Sequence, residues 1–211
     1  MVLAAGLGTR LKPLTDHVPK CLIDVGGMPL LEAALRRLKR AGVTEAVVNA
    51  HHHVEQVAAF LVALRPLLGL RLELSREDPV LETGGGLKKA AGFFSDGKPF
   101  LVYNADVVTD LDLGALMAAH AGSGALATLA VRDRPSRRRL LFKAGRLAGR
   151  EPGDGEALAF SGIHAAGPGF LARMTEEGVF SLTDVWLRLA REGALIAPFR
   201  HDGGVIGQGG Q

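Results

Sequence analysis

From Val2 to Val131 short apolar runs alternate with segments of helical period, and this alternation constrains the fold more than any other feature of the chain. Residues 2–5, 46–49, 70–74, 100–103 and 125–131 read as strands. Pro29 opens a helix in which Leu31, Leu35 and Leu38 share a face, with Arg36, Arg37, Lys39 and Arg40 outside it, and Gly42 ends it. Residues 55–64, 87–94 and 113–120 read as further helices, the second after a glycine-rich start. Parallel strands need a crossover between them, and each crossover helix covers a face of the sheet. The expected class is therefore α/β, a Rossmann-like three-layer sandwich on a mostly parallel sheet. Residues 21–25 are expected to form a strand end before a Gly26-Gly27 turn, while Pro13 and Pro19 keep the stretch before them from becoming helical.

After Arg132 the pattern loosens. Residues 140–142 and 146–147 around Gly145 suggest a hairpin, 157–163 a strand, 168–174 and 182–191 helices, and 195–197 a last short strand. The tail 203–211 has no packing pattern. No linker divides the 211 residues, so one domain over 1–211 is expected.

Composition excludes several functions. Lys and Arg number 25 against 22 Asp and Glu, a balance of +3 that suits a small anion as well as nucleic acid. Aromatic residues make up only 5%, too few for a base-stacking surface, so no nucleic-acid partner is expected. A single cysteine, Cys21, excludes an internal disulfide and a multi-cysteine zinc site, and no motif marks it as a nucleophile. No apolar run approaches the roughly 20 residues of a membrane span, and residues 1–5 are too short for a signal peptide. The expectation is a cytoplasmic protein with no membrane partner.

The first strand runs into Gly6-Leu7-Gly8-Thr9-Arg10. Glycines there present backbone N–H groups with no side chain in the way, an arrangement that holds phosphate oxygens. The run fits neither a Walker loop nor the dinucleotide fingerprint, whose third glycine would stand at Leu11. Taken alone, Gly-x-Gly is as readily a tight turn. The longer run Leu3-Ala4-Ala5-Gly6-Leu7-Gly8-Thr9-Arg10-Leu11-Lys12-Pro13-Leu14-Thr15, continued by Pro19-Lys20-Cys21-Leu22, resembles the signature of the sugar-1-phosphate nucleotidyltransferases. The resemblance implies the fold of nucleotide-diphospho-sugar transferases and a reaction joining a nucleoside triphosphate to a sugar 1-phosphate with release of pyrophosphate. It assigns Ala4, Ala5, Gly6, Gly8 and Thr9 to the triphosphate. Arg10 steadies the phosphates, and Lys20 meets them at the reacting centre.

Two further motifs extend the resemblance. Val102-Tyr103-Asn104-Ala105-Asp106 puts an acid just past a buried strand, at the carboxyl edge where open α/β sheets bind ligands. A carboxylate suits magnesium, which takes oxygen ligands; an Asx turn is the plainer alternative. The family's Asn-Gly-Asp at this point implies that Asp106 holds Mg²⁺ and is catalytic, and that Asn104 meets the sugar phosphate. Asp110 and Asp112 read as caps for the helix that follows. In Glu77-Asp78-Pro79-Val80-Leu81-Glu82-Thr83-Gly84-Gly85-Gly86-Leu87, glycines at a helix start let a flat ring approach the backbone. Here the resemblance assigns base and ribose contacts to Glu77, Thr83, Gly84 and Gly85. Leu81-Glu82-Thr83-Gly84-Gly85-Gly86 most resembles the N-acetylmuramate-1-phosphate uridylyltransferase branch, which implies UTP, an N-acetylated or muramic sugar and a place in peptidoglycan recycling.

Phe160-Ser161-Gly162-Ile163 resembles the strand on which the family binds its sugar. It implies sugar contacts at Gly162 and Glu151, a weaker one at Asp184, and a division into a nucleotide-binding part, 1–131, and a sugar-binding part, 132–211. The family's closing Trp-x-Asp-Ile/Val-Gly-Thr, whose acid is the second metal ligand, falls with Trp on Val205, Asp on Gly207 and Thr on Gly210; Asp202 stands five residues early. A binding protein of the same fold with impaired catalysis is therefore the alternative. A nicotinamide-dependent dehydrogenase is disfavoured by Leu11 and by the Lys20 motif.

Other features read as structural. His51, His52 and His53 point alternately in an extended stretch, so they form a polar loop rather than one metal site. Arg132, Arg134, Arg137, Arg138 and Arg139 read as a solvated loop, with contact to an acidic sugar as the other possibility. Trp186 is expected in the core.

Overall fold

A computed structural model describes residues 1–202 and 205–207. In chain order the elements are β1 (Val2–Leu3), α1 (Leu30–Arg40), β2 (Glu45–Ala50), α2 (Val54–Leu68), β3 (Arg71–Arg76), α3 (Glu82–Lys89), β4 (Phe100–Asn104), β5 (Val107–Thr109), α4 (Leu113–Ser123), β6 (Ala127–Arg132), β7 (Leu140–Lys143), β8 (Arg146–Arg150), β9 (Glu156–Ala166), α5 (Pro168–Ala172), α6 (Leu182–Arg191), β10 (Ile196–Arg200) and β11 (Val205–Gly207). The central sheet runs β10-β6-β9-β4-β1-β2-β3, with β7 and β8 continuing from β9. β1 pairs parallel with β2 and β4, β2 with β3, and β6 with β10. β9 runs antiparallel between β4 and β6.

The period of two along each strand sorts side chains between two cores. Ala46 and Val48 of β2 face one and Val47 the other; Leu101 and Tyr103 of β4 oppose Val102 in the same way. The first core takes Leu31, Leu35 and Leu38 of α1, Leu61 and Leu64 of α2 and Leu116 of α4. The second takes Leu87 of α3, Phe170 of α5 and Val185, Trp186 and Leu189 of α6. Three layers follow, as expected. Asp112 caps α4, its carboxylate accepting from Ala115 N at 2.9 Å.

Three local expectations change. Residues 20–22 form a 3₁₀ turn, closed by Leu22 N donating to Pro19 O at 2.8 Å, and Asp24 makes only a bridge with Pro29, so no strand runs from 21 to 25. α3 begins at Glu82 rather than Leu87, with the three glycines inside it. Val205–Gly207, in the tail read as unpatterned, pair antiparallel with β5. No helix among the described residues is long and apolar enough to cross a membrane.

Candidate active site

The carboxyl ends of β1 and β4 lie side by side, Leu3 in register with Asn104. The chain leaving β1 must turn sharply, and Gly8 permits it with φ +64°. A Cβ there would stand 2.7 Å from Thr15 Cγ2, so the loop closes on that buried threonine, whose hydroxyl donates to Gly8 O at 3.0 Å. The histidine run braces this loop. His52 Nε2 donates to Thr15 O and His53 Nε2 to Asp16 O, both at 3.1 Å, while His51 Nδ1 donates to Glu77 O at 2.9 Å.

The chain leaving β4 is held equally firmly. Ala105 N donates to Leu3 O at 3.0 Å, and Tyr103 Oη donates to Val107 O at 2.9 Å. Burial pushes the Tyr103 hydroxyl up to about 12, so it stays a neutral donor. This brackets Asp106 and aims it at the glycine loop, where its carboxylate forms an ion pair with Lys20 Nζ. The two side chains keep 17% and 30% of their exposure, Lys20 and Asp106 respectively, so the pair lies on a cavity wall and not in the core.

Two cavities meet at this wall. The smaller, about 490 Å³, is lined along the glycine loop by Ala4, Ala5, Gly6, Gly8 and Thr9, and elsewhere by Lys20, Asn49 and Val80. The larger, about 1010 Å³, extends over β9, where Gly162 lines it, and over the start of α6. Arg10, Glu82, Thr83, Asn104 and Asp106 line both.

The structure thus gathers most of the residues singled out from sequence, but not all of them. Glu77 lines neither cavity; it is buried beneath the smaller one, accepting from Asn49 Nδ2 at 2.6 Å and from Leu81 N at 2.9 Å. Gly84 and Gly85 also lie outside the lining, and their amides donate to Phe180 O at 2.9 and 3.2 Å. Their missing side chains make room for protein: a Cβ on Gly84 would stand 2.4 Å from Cδ2 of the Phe180 ring, and one on Gly85 2.4 Å from Gly178 O. Glu151 is exposed on the loop after β8, while its neighbour Arg150 lines the larger cavity. Asp184 lines neither cavity, and its amide donates to Ser181 in the cap of α6. The arginine run is not simply solvated. Pairing of β7 with β9 draws the preceding loop over the sheet, so Arg134, Arg137 and Arg138 line the larger cavity, while Arg139 is tied to Asp133 and Ala157 O.

Sequence reasoning missed Asn49, Val80 and Glu82 in the lining. Glu82 carried a signal only in hindsight: it adopts φ +58°, a conformation unusual for a residue with a Cβ. Cys21 also lines the smaller cavity, but burial pushes its thiol up to about 12, which keeps it protonated and unreactive.

Residues 1–139 match the family model described as Nucleotidyl transferase. The N-acetylmuramate alpha-1-phosphate uridylyltransferase of Caulobacter vibrioides is 36% identical over 94% of this chain and 87% of its own length. The chain belongs to the sugar-1-phosphate nucleotidyltransferase family. A probable mannose-1-phosphate guanylyltransferase of Oryza sativa subsp. japonica is 37% identical over 65% of the chain and 39% of the relative. Among solved structures, a UDP-glucose pyrophosphorylase from Acinetobacter baumanii superposes with a TM-score of 0.80 over 99% of this chain and 87% of that one, at 19% identity, which shows the shared fold.

In this nucleotidyltransferase the family's second acidic position has a defined place. The β11–β5 register sets Gly207 opposite Val107, the residue after Asp106. The residue that the sequence reading aligned with the signature's second acid therefore stands next to Asp106, and it is a glycine. Gly210, aligned with the signature's threonine, lies outside the described residues. Among the described residues no group of three or more His, Cys, Asp or Glu is arranged to hold a metal.

Proposed function

We propose that the protein transfers a nucleotidyl group from UTP to a sugar 1-phosphate and releases pyrophosphate. The observation that carries this reading is the wall shared by the two cavities, on which Arg10, Asn104 and Asp106 face both spaces and Lys20 pairs with Asp106. The triphosphate occupies the smaller cavity along the glycine loop, and the sugar phosphate enters from the larger one. UTP is the base suggested by the relative that matches along most of its length. In sequence the nucleotide falls on residues 1–131, and the sugar chiefly on 132–211 with Asn104 of the first part on the shared wall.

A sugar phosphate oxygen attacks the α-phosphorus. A new P–O bond forms as the bond to the bridging oxygen of the β-phosphate breaks, and pyrophosphate leaves with that electron pair. The attacking phosphate is already an anion near neutral pH, so no general base is required. Arg10 and Lys20 neutralise charge on the transferring phosphates, and Lys20 is preset by its ion pair with Asp106. Asp106 is the carboxylate that would hold Mg²⁺. The donor set fits a cation that commonly takes one or two carboxylates and completes its shell with water and substrate phosphates. When bound, the metal ion supplies further charge neutralisation at the phosphates. Glu77 acts from below the cavity, setting Asn49 in its lining.

A magnesium-dependent pyrophosphate assay over several triphosphates and sugar 1-phosphates tests this reading. Release with UTP, lost in Lys20→Ala, is the expected result. The glycine at 207 favours one other reading, a nucleotide- and sugar-binding protein of the same fold with little turnover. UTP binding without pyrophosphate release for any pair would establish that alternative.

A further inference from the structure

β9 does not pair evenly with its neighbours. Leu129 of β6 stands opposite His164 and Val131 opposite Phe160, so Ala130 alone faces Ser161, Gly162 and Ile163. On the other side the β4–β9 register ends at Tyr103 and Ile163, which leaves Ser161 and Gly162 outside both ladders. Gly162 permits this bulge with φ +83°, and a Cβ there would stand 2.5 Å from Val107 Cγ2 and 3.3 Å from Asn104 Nδ2. A regular strand sends neighbouring side chains to opposite faces, and a bulge re-aims them. Phe160, Ser161, Gly162 and His164 accordingly all line the larger cavity, although Phe160 and Ser161 are adjacent in sequence.

The re-aimed serine meets a histidine from the next strand but one. His201 follows β10, and its amide donates to Val131 O at 3.2 Å, which sets the residue beside the bulge. Its Nε2 lies 2.9 Å from Ser161 Oγ. Its Nδ1 is buried and has no hydrogen-bond partner among the described residues, Asp110 and Asp202 included. That excludes a Ser-His-Asp triad, in which Nδ1–H donates to the acid. It also sets the tautomer. A proton on Nδ1 would be a buried donor without an acceptor, so the proton sits on Nε2, which donates to Ser161 Oγ. Burial and Arg132 on β6 hold this imidazole below its ordinary 6.5, against weaker upward pulls from Asp110 and Asp202, so it is neutral at neutral pH. With Oγ accepting from His201, the Ser161 hydroxyl hydrogen points elsewhere. It has no acceptor among the described residues, and the cavity is the direction left to it.

We propose that His201 is a positioning residue for the transfer reaction: it holds the Ser161 hydroxyl as a fixed hydrogen-bond donor to a hydroxyl oxygen of the acceptor sugar. The inference rests on the nucleotidyl-transfer reading, which puts the acceptor in the larger cavity and its phosphate on the shared wall. That phosphate meets Arg10 and Lys20 there, whereas Ser161 lines the larger cavity and not the smaller one, so its hydroxyl falls to the sugar.

The test reads binding and turnover separately. Calorimetry measures the Kd of UTP, of inorganic phosphate and of three acceptors: glucose 1-phosphate, 2-acetamido-2-deoxyglucose 1-phosphate and its 3-O-carboxyethyl ether. The proteins are the wild type, Ser161→Ala, His201→Leu and the double variant. Each single variant should weaken the best-bound acceptor by about fivefold to tenfold and leave UTP and inorganic phosphate within about twofold. The double variant should lose no more than Ser161→Ala alone, because the imidazole acts only through the hydroxyl. His201→Gln, whose amide N–H can replace the Nε2–H, should recover most of the affinity lost in His201→Leu. Thermal melting checks that each variant is folded.

Losses that multiply in the double variant overturn the proposal, as does a glutamine variant no better than the leucine one. So does equal weakening of UTP and acceptor, which is the mark of a structural role. Equal weakening of inorganic phosphate and acceptor would move the contact to the 1-phosphate and overturn the assignment to the sugar. Unchanged acceptor affinity in both single variants, or no binding of any acceptor to the wild type, refutes it as well. Absence of pyrophosphate release strikes the transfer reading alone, because the affinities are measured without turnover.

Discussion

Asn49 Nδ2 donates to Glu77 Oε1 at 2.6 Å, and the pair lies buried between the glycine loop and α3. Asn49 also accepts from Ala4 N at 2.7 Å, and Glu77 accepts from Leu81 N at 2.9 Å. A continuous set of hydrogen bonds thus joins the end of β1 to the start of α3, the two elements that border the smaller cavity. Glu77→Ala should leave a buried amide and a backbone N–H without acceptors and destabilise the protein by about 2–4 kcal/mol. Urea unfolding measures the loss, and a change under about 0.5 kcal/mol would show that the pair is dispensable.

Gly86 packs against the same pair. A Cβ there would stand 2.5 Å from Glu77 Oε1 and 2.7 Å from Asn49 Nδ2. Gly86→Ala, ordinarily favourable within a helix, should therefore destabilise by about 1–3 kcal/mol. The midpoint of thermal or urea unfolding reads the sign directly.

Lys20→Ala should reduce pyrophosphate release by roughly 100-fold or more, because a charge donor preset at the reacting phosphates is removed. Steady-state rates with saturating UTP and sugar phosphate measure it. An undiminished rate would place the chemistry elsewhere.

Glu82 combines a left-handed backbone with a position on both cavities. Glu82→Gly should relieve that backbone and stabilise the fold by at most about 1 kcal/mol, while lowering kcat/KM by about tenfold. Opposite movements of stability and turnover, read by melting and by the pyrophosphate assay, are the signature of strain retained for function. Parallel movements would assign Glu82 a structural role.

His164 supplies a pH dependence of stability. Burial holds its folded-state value at about 3, below the ordinary 6.5. The unfolded chain then binds a proton that the folded chain refuses, so the stabilisation is present above pH 6.5 and is lost as pH falls from there toward about 3, at up to ~1.4 kcal/mol per pH unit. Burial lowers His120 and His201 in the same direction, so the slope above pH 5 exceeds that of one group alone. Urea unfolding at pH 7, 6 and 5 should show this decline, and His164→Phe should flatten it.

The amino-acid sequence by itself determined the alternation of strands and helices over most of residues 2–131, the sheet covered on both faces, and the glycine-built turn after β1. These features are encoded locally, by the period of apolar residues and by glycines where side chains would obstruct. Asp106 was legible for the same reason, as an acid at the carboxyl end of a buried strand. Only the tertiary structure decided what Glu77, Gly84, Gly85 and the arginines after β6 do. Phe180, almost a hundred residues further along the chain, engages the amides of Gly84 and Gly85, and Asn49 turns Glu77 inward. Pairing of β7 with β9 places Arg134, Arg137 and Arg138 over a cavity. Whether such a group meets a ligand or another part of the protein depends on contacts between distant segments, which composition and local spacing do not contain.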